Sequence, residues 1–76
     1  QREDTKSSVE MLSPRERECL QWTAEGKTNW ECAMILGLTE RTVRFYLESA
    51  RHKLGAVNTT HAVNRAGRAN LISGLP

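Results

Sequence analysis

The chain has 76 residues, of which 38% are hydrophobic and 26% charged, and its formal net charge is +2. This length allows one domain with a small core. The composition excludes a wholly disordered chain. A membrane span is excluded because the sequence has no apolar run of about 20 residues. A core of this size leaves little room for an enclosed catalytic cleft, so we expect no enzyme.

The N-terminal part is predicted to be an arm followed by a helix. Residues 1–11 lack apolar periodicity, which predicts a linker or disordered arm, and because the first ten residues are polar and charged we expect no signal peptide. Because the chain begins with Gln1 rather than Met, we expect a fragment of a longer protein. The first helix is predicted over residues 14–25, since Ser13 and Glu16 have the spacing of a capping box and a proline follows the cap.

The second helix is predicted over residues 29–36. Thr28 and Glu31 repeat the capping-box spacing, and Gly37 is a natural left-handed helix end. Its apolar stripe consists of Cys32, Ala33 and Leu36.

The third helix is predicted over residues 40–54, with Thr39 as its cap. Leu38 and Val43 flank this cap at the spacing of a hydrophobic staple, and Gly55 ends the helix. One helical face carries the apolar residues Val43, Leu47, Ala50 and Leu54.

The fourth helix is predicted over residues 59–70, with Leu71 and Ile72 closing the core. Its small apolar face consists of Ala62, Val63, Ala66 and Ala69. Since no segment alternates apolar and polar residues, the sequence predicts an all-α domain of four helices and no strand.

The second and third helices have the spacing of a helix-turn-helix motif. The small side chain of Ala33 allows close helix approach, Gly37 permits a tight turn, and Leu38 and Val43 fill the angle between the helices. Such a motif places its second helix in the major groove of DNA, although short helix pairs also occur as packing units.

Charge is divided unevenly along the chain. Residues 1–38 carry five Lys and Arg against seven Asp and Glu, whereas residues 39–76 carry six against two. The basic second half favours a polyanionic partner, with a solvated surface as the alternative.

Candidate base-reading residues lie on the outer face of the third helix. Arg44 has the chemistry to pair with guanine through two hydrogen bonds. Phe45 either contacts a thymine methyl group or packs under the fourth helix. Arg41 and Glu48 complete the predicted base-reading set.

Phosphate contacts are predicted around this helix, where side-chain donors and the N-termini of the second and fourth helices favour an anion. Ordinary capping or solvation is the alternative for each residue. The candidates are Lys27, Thr28, Thr42, Arg51, Lys53, Asn58 and Thr59.

With these residues in view, the chain resembles the DNA-binding domain of LuxR-type transcription regulators. The matching stretches are LSPRERECLQWTAEGKTNWE at residues 12–31, ILGLTERTVRFYL at residues 35–47 and KLGAVN at residues 53–58. The segment GKTNWE, with Trp30, is more similar to the quorum-sensing branch than to the response-regulator branch.

The resemblance implies a tetrahelical domain that binds a two-fold symmetric DNA site as a homodimer, with the fourth helix as dimer contact. It also implies a preceding domain, absent here, that binds an acyl-homoserine lactone. Arg44 matches the main base-reading position, Phe45 the adjacent one, and Thr42 and Lys27 positions near phosphates. The matched core positions are Leu20, Trp22, Ile35, Val43 and Leu54.

Two residues depart from the family pattern. Tyr46 stands where the quorum-sensing branch often has histidine, and Glu48 where several relatives have a basic or small polar residue. Glu48 either accepts a hydrogen bond from cytosine N4 or orients Arg44 through an i, i+4 pair. The identity of the DNA site therefore stays open. Trp30 either packs against the first helix or is exposed as an activation surface for RNA polymerase.

Cysteine and histidine are too few for a metal site or a disulfide framework. We interpret Cys19 and Cys32 as small core residues of a cytoplasmic protein, and His52 and His61 as surface residues. No metal, cofactor or membrane partner is expected. The leading prediction is a sequence-specific DNA-binding effector domain. The alternatives are a protein-interaction module of the same fold, or the effector domain of a two-component response regulator.

Overall fold

The computed structural model describes residues 12–69 and 71–72, and within them the chain forms four α-helices and no strand. These are α1 (Pro14–Ala24), α2 (Asn29–Leu36), α3 (Glu40–Lys53) and α4 (Thr59–Arg68). The predicted arm and the predicted helix end at Asn70 lie outside the described residues. No helix in the described part combines the length and hydropathy that crossing a membrane requires.

Side-chain caps begin all four helices. In α1 the Ser13 hydroxyl accepts from the Glu16 amide at 3.2 Å, and Glu16 Oε1 accepts from the Ser13 amide at 2.8 Å. Thr28 and Glu31 form the same reciprocal pair at α2, so both predicted capping boxes are confirmed. Thr39 caps α3 and Asn58 caps α4, and each such cap contributes about 1 kcal/mol.

The turn between α2 and α3 has the predicted helix-turn-helix geometry. Gly37 adopts φ 70° and ψ 35°, the left-handed conformation that glycine reaches without a steric penalty. The amide of Leu38 donates to the Ala33 carbonyl at 2.9 Å, which closes the turn. Ala33 is buried, as close packing of the two helices requires.

Helix α3 is the centre of the domain, because α1, α2 and α4 all pack against it. Its inner face, which includes Val43, Leu47 and Ala50, is buried by these three neighbours. The outer face is left exposed. The other buried apolar residues are Leu12, Cys19, Leu20, Cys32, Ala33, Leu54, Ala56, Ala62, Ala66 and Ile72.

Most of the core positions implied by the resemblance are confirmed. Leu20, Val43 and Leu54 are buried, and Trp22 is half-buried against the core. The implied core position of Ile35 is wrong, since its side chain is 46% exposed. The short helix α2 buries only Cys32 and Ala33, and Ile35 points away from that stripe.

Trp30 is 58% exposed, so the expectation that it packs against the first helix is wrong. The indole contributes to the surface of α2. The alternative, an exposed Trp30, is the one that the structure supports.

A buried carboxylate joins α1 to α3. Glu16 is 4% exposed, and its Oε2 accepts from the Ser49 hydroxyl at 2.6 Å. Its Oε1 accepts from the Lys53 ammonium at 3.0 Å as well as from the Ser13 amide. Burial alone would raise the pKa of Glu16, but the hydrogen bonds from Ser49 and Ser13 and the Lys53 charge hold it below its usual 4.5. Glu16 is therefore both a helix cap and a tertiary contact.

Cys19 and Cys32 are free and buried, as expected of small core residues. Burial raises the pKa of the Cys19 thiol to about 11 and raises that of Cys32 as well. Neither thiol is therefore poised for reaction in the folded domain.

Candidate nucleic-acid interface

The exposed face of α3 carries all of the residues predicted to read bases. Arg44 and Glu48 have side chains that are 58% and 60% exposed, and Arg41 is exposed as well. Phe45 is 66% exposed and meets Tyr46 edge to face, with ring centroids 5.7 Å apart. The expectation that Phe45 packs under the fourth helix is therefore wrong.

Arg44 is paired within its own helix, but not with the predicted partner. Its Nη1 lies 3.7 Å from Oε1 of Glu40, one turn earlier. The suggestion that Glu48 orients Arg44 is wrong. A carboxylate N-terminal to its cation is the better i, i+4 orientation, which favours Glu40 over Glu48. This exposed and long contact is weak, so Arg44 can leave it for a base at little cost.

Glu48 is bound to Arg51 instead. Arg51 Nε donates to Glu48 Oε1 at 3.1 Å and Arg51 Nη2 donates to Oε2 at 2.5 Å. His52 Nε2 lies 3.6 Å from the same carboxylate. The hydrogen bonds and charge of Arg51 hold the pKa of Glu48 below its usual value, so the carboxylate stays ionised at neutral pH.

Arg51 also fixes the connection between α3 and α4. Its Nη1 donates to the Ala56 carbonyl at 2.8 Å. In the same connection the Val57 amide donates to His61 Nδ1 at 3.1 Å. The position of the α4 N-terminus relative to α3 is therefore set by side chains as well as by the backbone.

A shallow cavity of about 320 Å³ lies where these elements meet. It is bounded by the middle of α3 and by the N-termini of α2 and α4. Its lining residues are Asn29, Arg44, Leu47, Glu48 and Thr59. Predicted base-reading and predicted phosphate-binding residues thus border one depression on the exposed side of α3.

The N-terminus of α2 offers donors to an anion. Lys27 is exposed and directly precedes the Thr28 cap. The capping box uses the amides of Thr28 and Glu31, which leaves those of Asn29 and Trp30 without an intrahelical acceptor. These amides and Lys27 fit a phosphate at the positive end of the helix dipole.

Among the other residues predicted to contact phosphate, some lie at helix N-termini or beside the cavity, whereas Lys53 is engaged in the tertiary structure. Asn58 is exposed and caps α4, Thr59 borders the cavity, and Thr42 accepts a hydrogen bond from the Thr39 hydroxyl at 3.0 Å. Lys53, in contrast, pairs with buried Glu16 and serves the tertiary structure, so the structure does not support its assignment to a phosphate.

Sequence reasoning missed several surface and buried features. Met34 and Ile35 join Trp30 as exposed apolar residues of α2, and their position off the apolar stripe was the available signal. The tertiary role of Glu16 was also missed, although its place on the face of Cys19 indicated burial. The described residues contain no cluster of three or more His, Cys, Asp or Glu side chains that could hold a metal.

The domain has four helices, and α3 is the second helix of a helix-turn-helix pair. Its outer face is exposed and its last turn is basic. These features define a class of DNA-binding domain. Residues 10–66 match the family described as bacterial regulatory proteins, luxR family. The chain belongs to this family, and it is a helix-turn-helix, DNA-binding domain of a transcription regulator.

Individual relatives agree with this assignment. The quorum sensing-dependent transcriptional regulator RpaR of Rhodopseudomonas palustris is 56% identical over 61 residues, covering 80% of this chain and 25% of that protein. The transcriptional activator protein BjaR1 of Bradyrhizobium diazoefficiens is 50% identical over 62 residues, covering 82% and 26%. The chain thus spans about a quarter of the length of these relatives.

The fold agrees with a solved structure too. That of the transcription factor GerE superposes with a TM-score of 0.78 at 27% identity, over 82% of this chain and 92% of that one. The predicted all-α tetrahelical fold is confirmed.

Proposed function

We propose that this domain binds double-stranded DNA sequence-specifically by placing α3 in the major groove. The observation that carries the proposal is the position of α3, whose inner face is buried by three helices while its outer face is exposed. Arg44 is assigned to guanine and Phe45 to a thymine methyl group, with Arg41 and Glu48 beside them. The proposed phosphate contacts are Lys27, Thr28, Thr42, Asn58 and Thr59.

Selection from random duplex DNA tests this proposal. We expect a defined consensus, and Arg44→Ala should weaken binding to it by about 1–3 kcal/mol and relax the base choice at one position. Lys27→Ala should weaken binding to all duplexes and lower the salt slope by about 0.9. Arg17→Ala, on the exposed surface of α1, is the control for loss of one positive charge. A wild-type domain that enriches no sequence at low salt would favour the interaction-module alternative.

For the whole protein we propose a cytoplasmic quorum-sensing regulator that is not an enzyme and responds to an acyl-homoserine lactone through an N-terminal domain. Supporting this are relatives named as quorum-sensing and transcriptional activator proteins, together with the segment GKTNWE. A reporter assay with the full-length protein should show a response to added lactone. A response to phosphorylation instead would indicate the two-component alternative.

We further propose that two copies bind a two-fold symmetric site through α4. This helix buries Ala62 and Ala66 against α1 and α3, and its opposite face is available to a second copy. Sedimentation of the domain on duplexes with one or two half-sites, about one helical turn apart, measures the stoichiometry. One protomer on the two-site duplex would assign dimerisation to the N-terminal domain.

A second surface supports an activating role. Trp30, Met34 and Ile35 are all exposed on the short helix α2, which concentrates apolar area beside the DNA-facing side. We assign this surface to RNA polymerase contact. In the full-length protein, Trp30→Ala should bind DNA normally and activate transcription poorly. Normal activation by that variant would refute the assignment.

A further inference from the structure

The groove-facing surface of α3 carries a negative charge that requires an explanation. The Glu48 carboxylate lies one turn after Arg44 and borders the same cavity. A bare carboxylate in this position would be repelled by the DNA phosphates. Here it is bound through both oxygens by Arg51, so the pair carries no net charge.

Arg51 makes three hydrogen bonds within the domain. Nε and Nη2 bind Glu48 and Nη1 binds the Ala56 carbonyl, so all three guanidinium nitrogens have acceptors within the domain. The Arg51 side chain is also the less exposed partner, at 24% against 60% for Glu48. These bonds use three of the five guanidinium N–H groups, so a phosphate could contact Arg51 only through the two that remain.

Glu48 keeps capacity for a further donor. An ionised carboxylate has about four lone-pair positions and donates nothing, and Arg51 occupies two of them. In the major groove, guanine and thymine present acceptors at their oxygen atoms, whereas cytosine presents the N4 amino group and adenine presents its N6 amino group beside the N7 acceptor, which repels a carboxylate. An acceptor-only side chain that Arg51 pairs at the groove face therefore discriminates in favour of cytosine.

We propose that Glu48 is a specificity-determining reader of cytosine N4, and that Arg51 is a positioning residue that holds Glu48 rather than a phosphate contact. This inference rests on the proposed DNA binding by α3. Since Glu48 follows Arg44 by one turn and borders the same cavity, it reads a position adjacent to or near the guanine of Arg44. The Ala56 contact of Arg51 additionally keeps the α4 N-terminus in register with this reader.

Base preference and salt dependence together test the roles of both residues. The domain and its variants are measured by selection from random duplex, then by titration of the selected duplex over a range of salt. Glu48→Gln should lose the cytosine preference and bind the selected site about tenfold more weakly. Arg51→Ala should change base preference in the same direction, and in the Glu48→Gln background it should add little.

The salt slope separates positioning from phosphate contact. Loss of a phosphate contact lowers the slope by about 0.9, so in the Glu48→Gln background, where no bare carboxylate is left, adding Arg51→Ala should instead match the Arg17→Ala control. Arg51→Lys keeps the charge but not the paired geometry, and it should also lose base preference. If thermal unfolding shows that Arg51→Ala does not fold, Arg51→Lys and Glu48→Gln still test the inference through base preference.

Three results would overturn the inference. A slope reduced by about 0.9 relative to Arg17→Ala, when Arg51→Ala is added to Glu48→Gln, would make Arg51 a phosphate contact. A cytosine preference that survives Glu48→Gln, or selection of another base at that position, would remove Glu48 as reader. Failure of the wild-type domain to bind any duplex would instead overturn the proposed function itself, and this inference with it.

Discussion

Replacing Glu16 should destabilise the domain far more than replacing any exposed carboxylate of the same helix. The side chain is 4% exposed and accepts from the Ser13 amide, the Ser49 hydroxyl and the Lys53 ammonium. Glu16→Ala removes half of the capping box and leaves the partly buried Ser49 and Lys53 side chains without this acceptor.

The magnitude follows from these contacts. Loss of half a capping box costs about 0.5–1 kcal/mol, and loss of charged hydrogen bonds about 1.5–3 kcal/mol. We therefore expect Glu16→Ala to lower the free energy of unfolding by about 2–4 kcal/mol, and Glu16→Gln, which keeps an acceptor, by less. A domain of this length has a total stability of about 4–11 kcal/mol, so this loss is large.

The same carboxylate predicts a pH dependence. Its folded-state pKa is lower than its usual 4.5, so its stabilisation is complete above that value and is lost as the pH falls through the lower folded-state pKa. The wild-type domain should lose stability below about pH 4.5, and Glu16→Gln should lose less over the same interval.

Urea unfolding followed by circular dichroism at pH 7 and at acidic pH measures both effects. The matched control is Glu18→Gln on α1, because Glu18 is exposed and pairs only with exposed Arg15 among the contacts seen. This control should stay within about 0.5 kcal/mol of the wild type. A Glu16→Ala loss as small as that of the control, or an unchanged pH dependence in Glu16→Gln, would refute the reasoning.

Three other perturbations test the core and the turn. Gly37→Ala should cost about 1–2 kcal/mol in urea unfolding, because φ is 70° there and a Cβ meets conformational strain, not a neighbouring atom. Leu20→Ala should cost about 2–5 kcal/mol, whereas Ile35→Ala should cost much less because Ile35 is exposed; equal losses would contradict the observed burial. The thiol of Cys19 should react slowly with a thiol reagent at pH 8 until urea unfolds the domain, since burial raises its pKa to about 11. Fast reaction of the folded domain would show that the site opens.

Local features of the fold were predictable because they depend on neighbours in sequence. Ser13 with Glu16 and Thr28 with Glu31 satisfy helix-end amides three residues away, and Gly37 satisfies a local backbone angle. The observed ends of α1 and α3 lie one residue before the predicted ends, where Glu25 and Leu54 are C-caps, and α4 ends at Arg68 with Ala69 as its C-cap. The exposed face of α3 also followed from periodicity alone.

Pairing among charged side chains was less predictable. Glu48 had Arg44 one turn before it and Arg51 three residues after it, and both lie within reach on a helix surface. The choice of Arg51 is supported by its third hydrogen bond, to the Ala56 carbonyl in the connection that follows α3. Sequence spacing shows which charged side chains can pair on a helix, but it does not show the hydrogen bond from Arg51 to the Ala56 carbonyl.

Interactions within a few residues account for the four helices, their caps, the turn at Gly37 and the exposed outer face of α3, and these features were therefore predictable from sequence patterns. The folded domain was needed to show that Lys53 serves buried Glu16, that Ile35 and Trp30 are exposed, and that Arg51 holds Glu48. These outcomes depend on how α1, α2 and the connection to α4 pack around α3, and such packing joins residues that are distant in the chain.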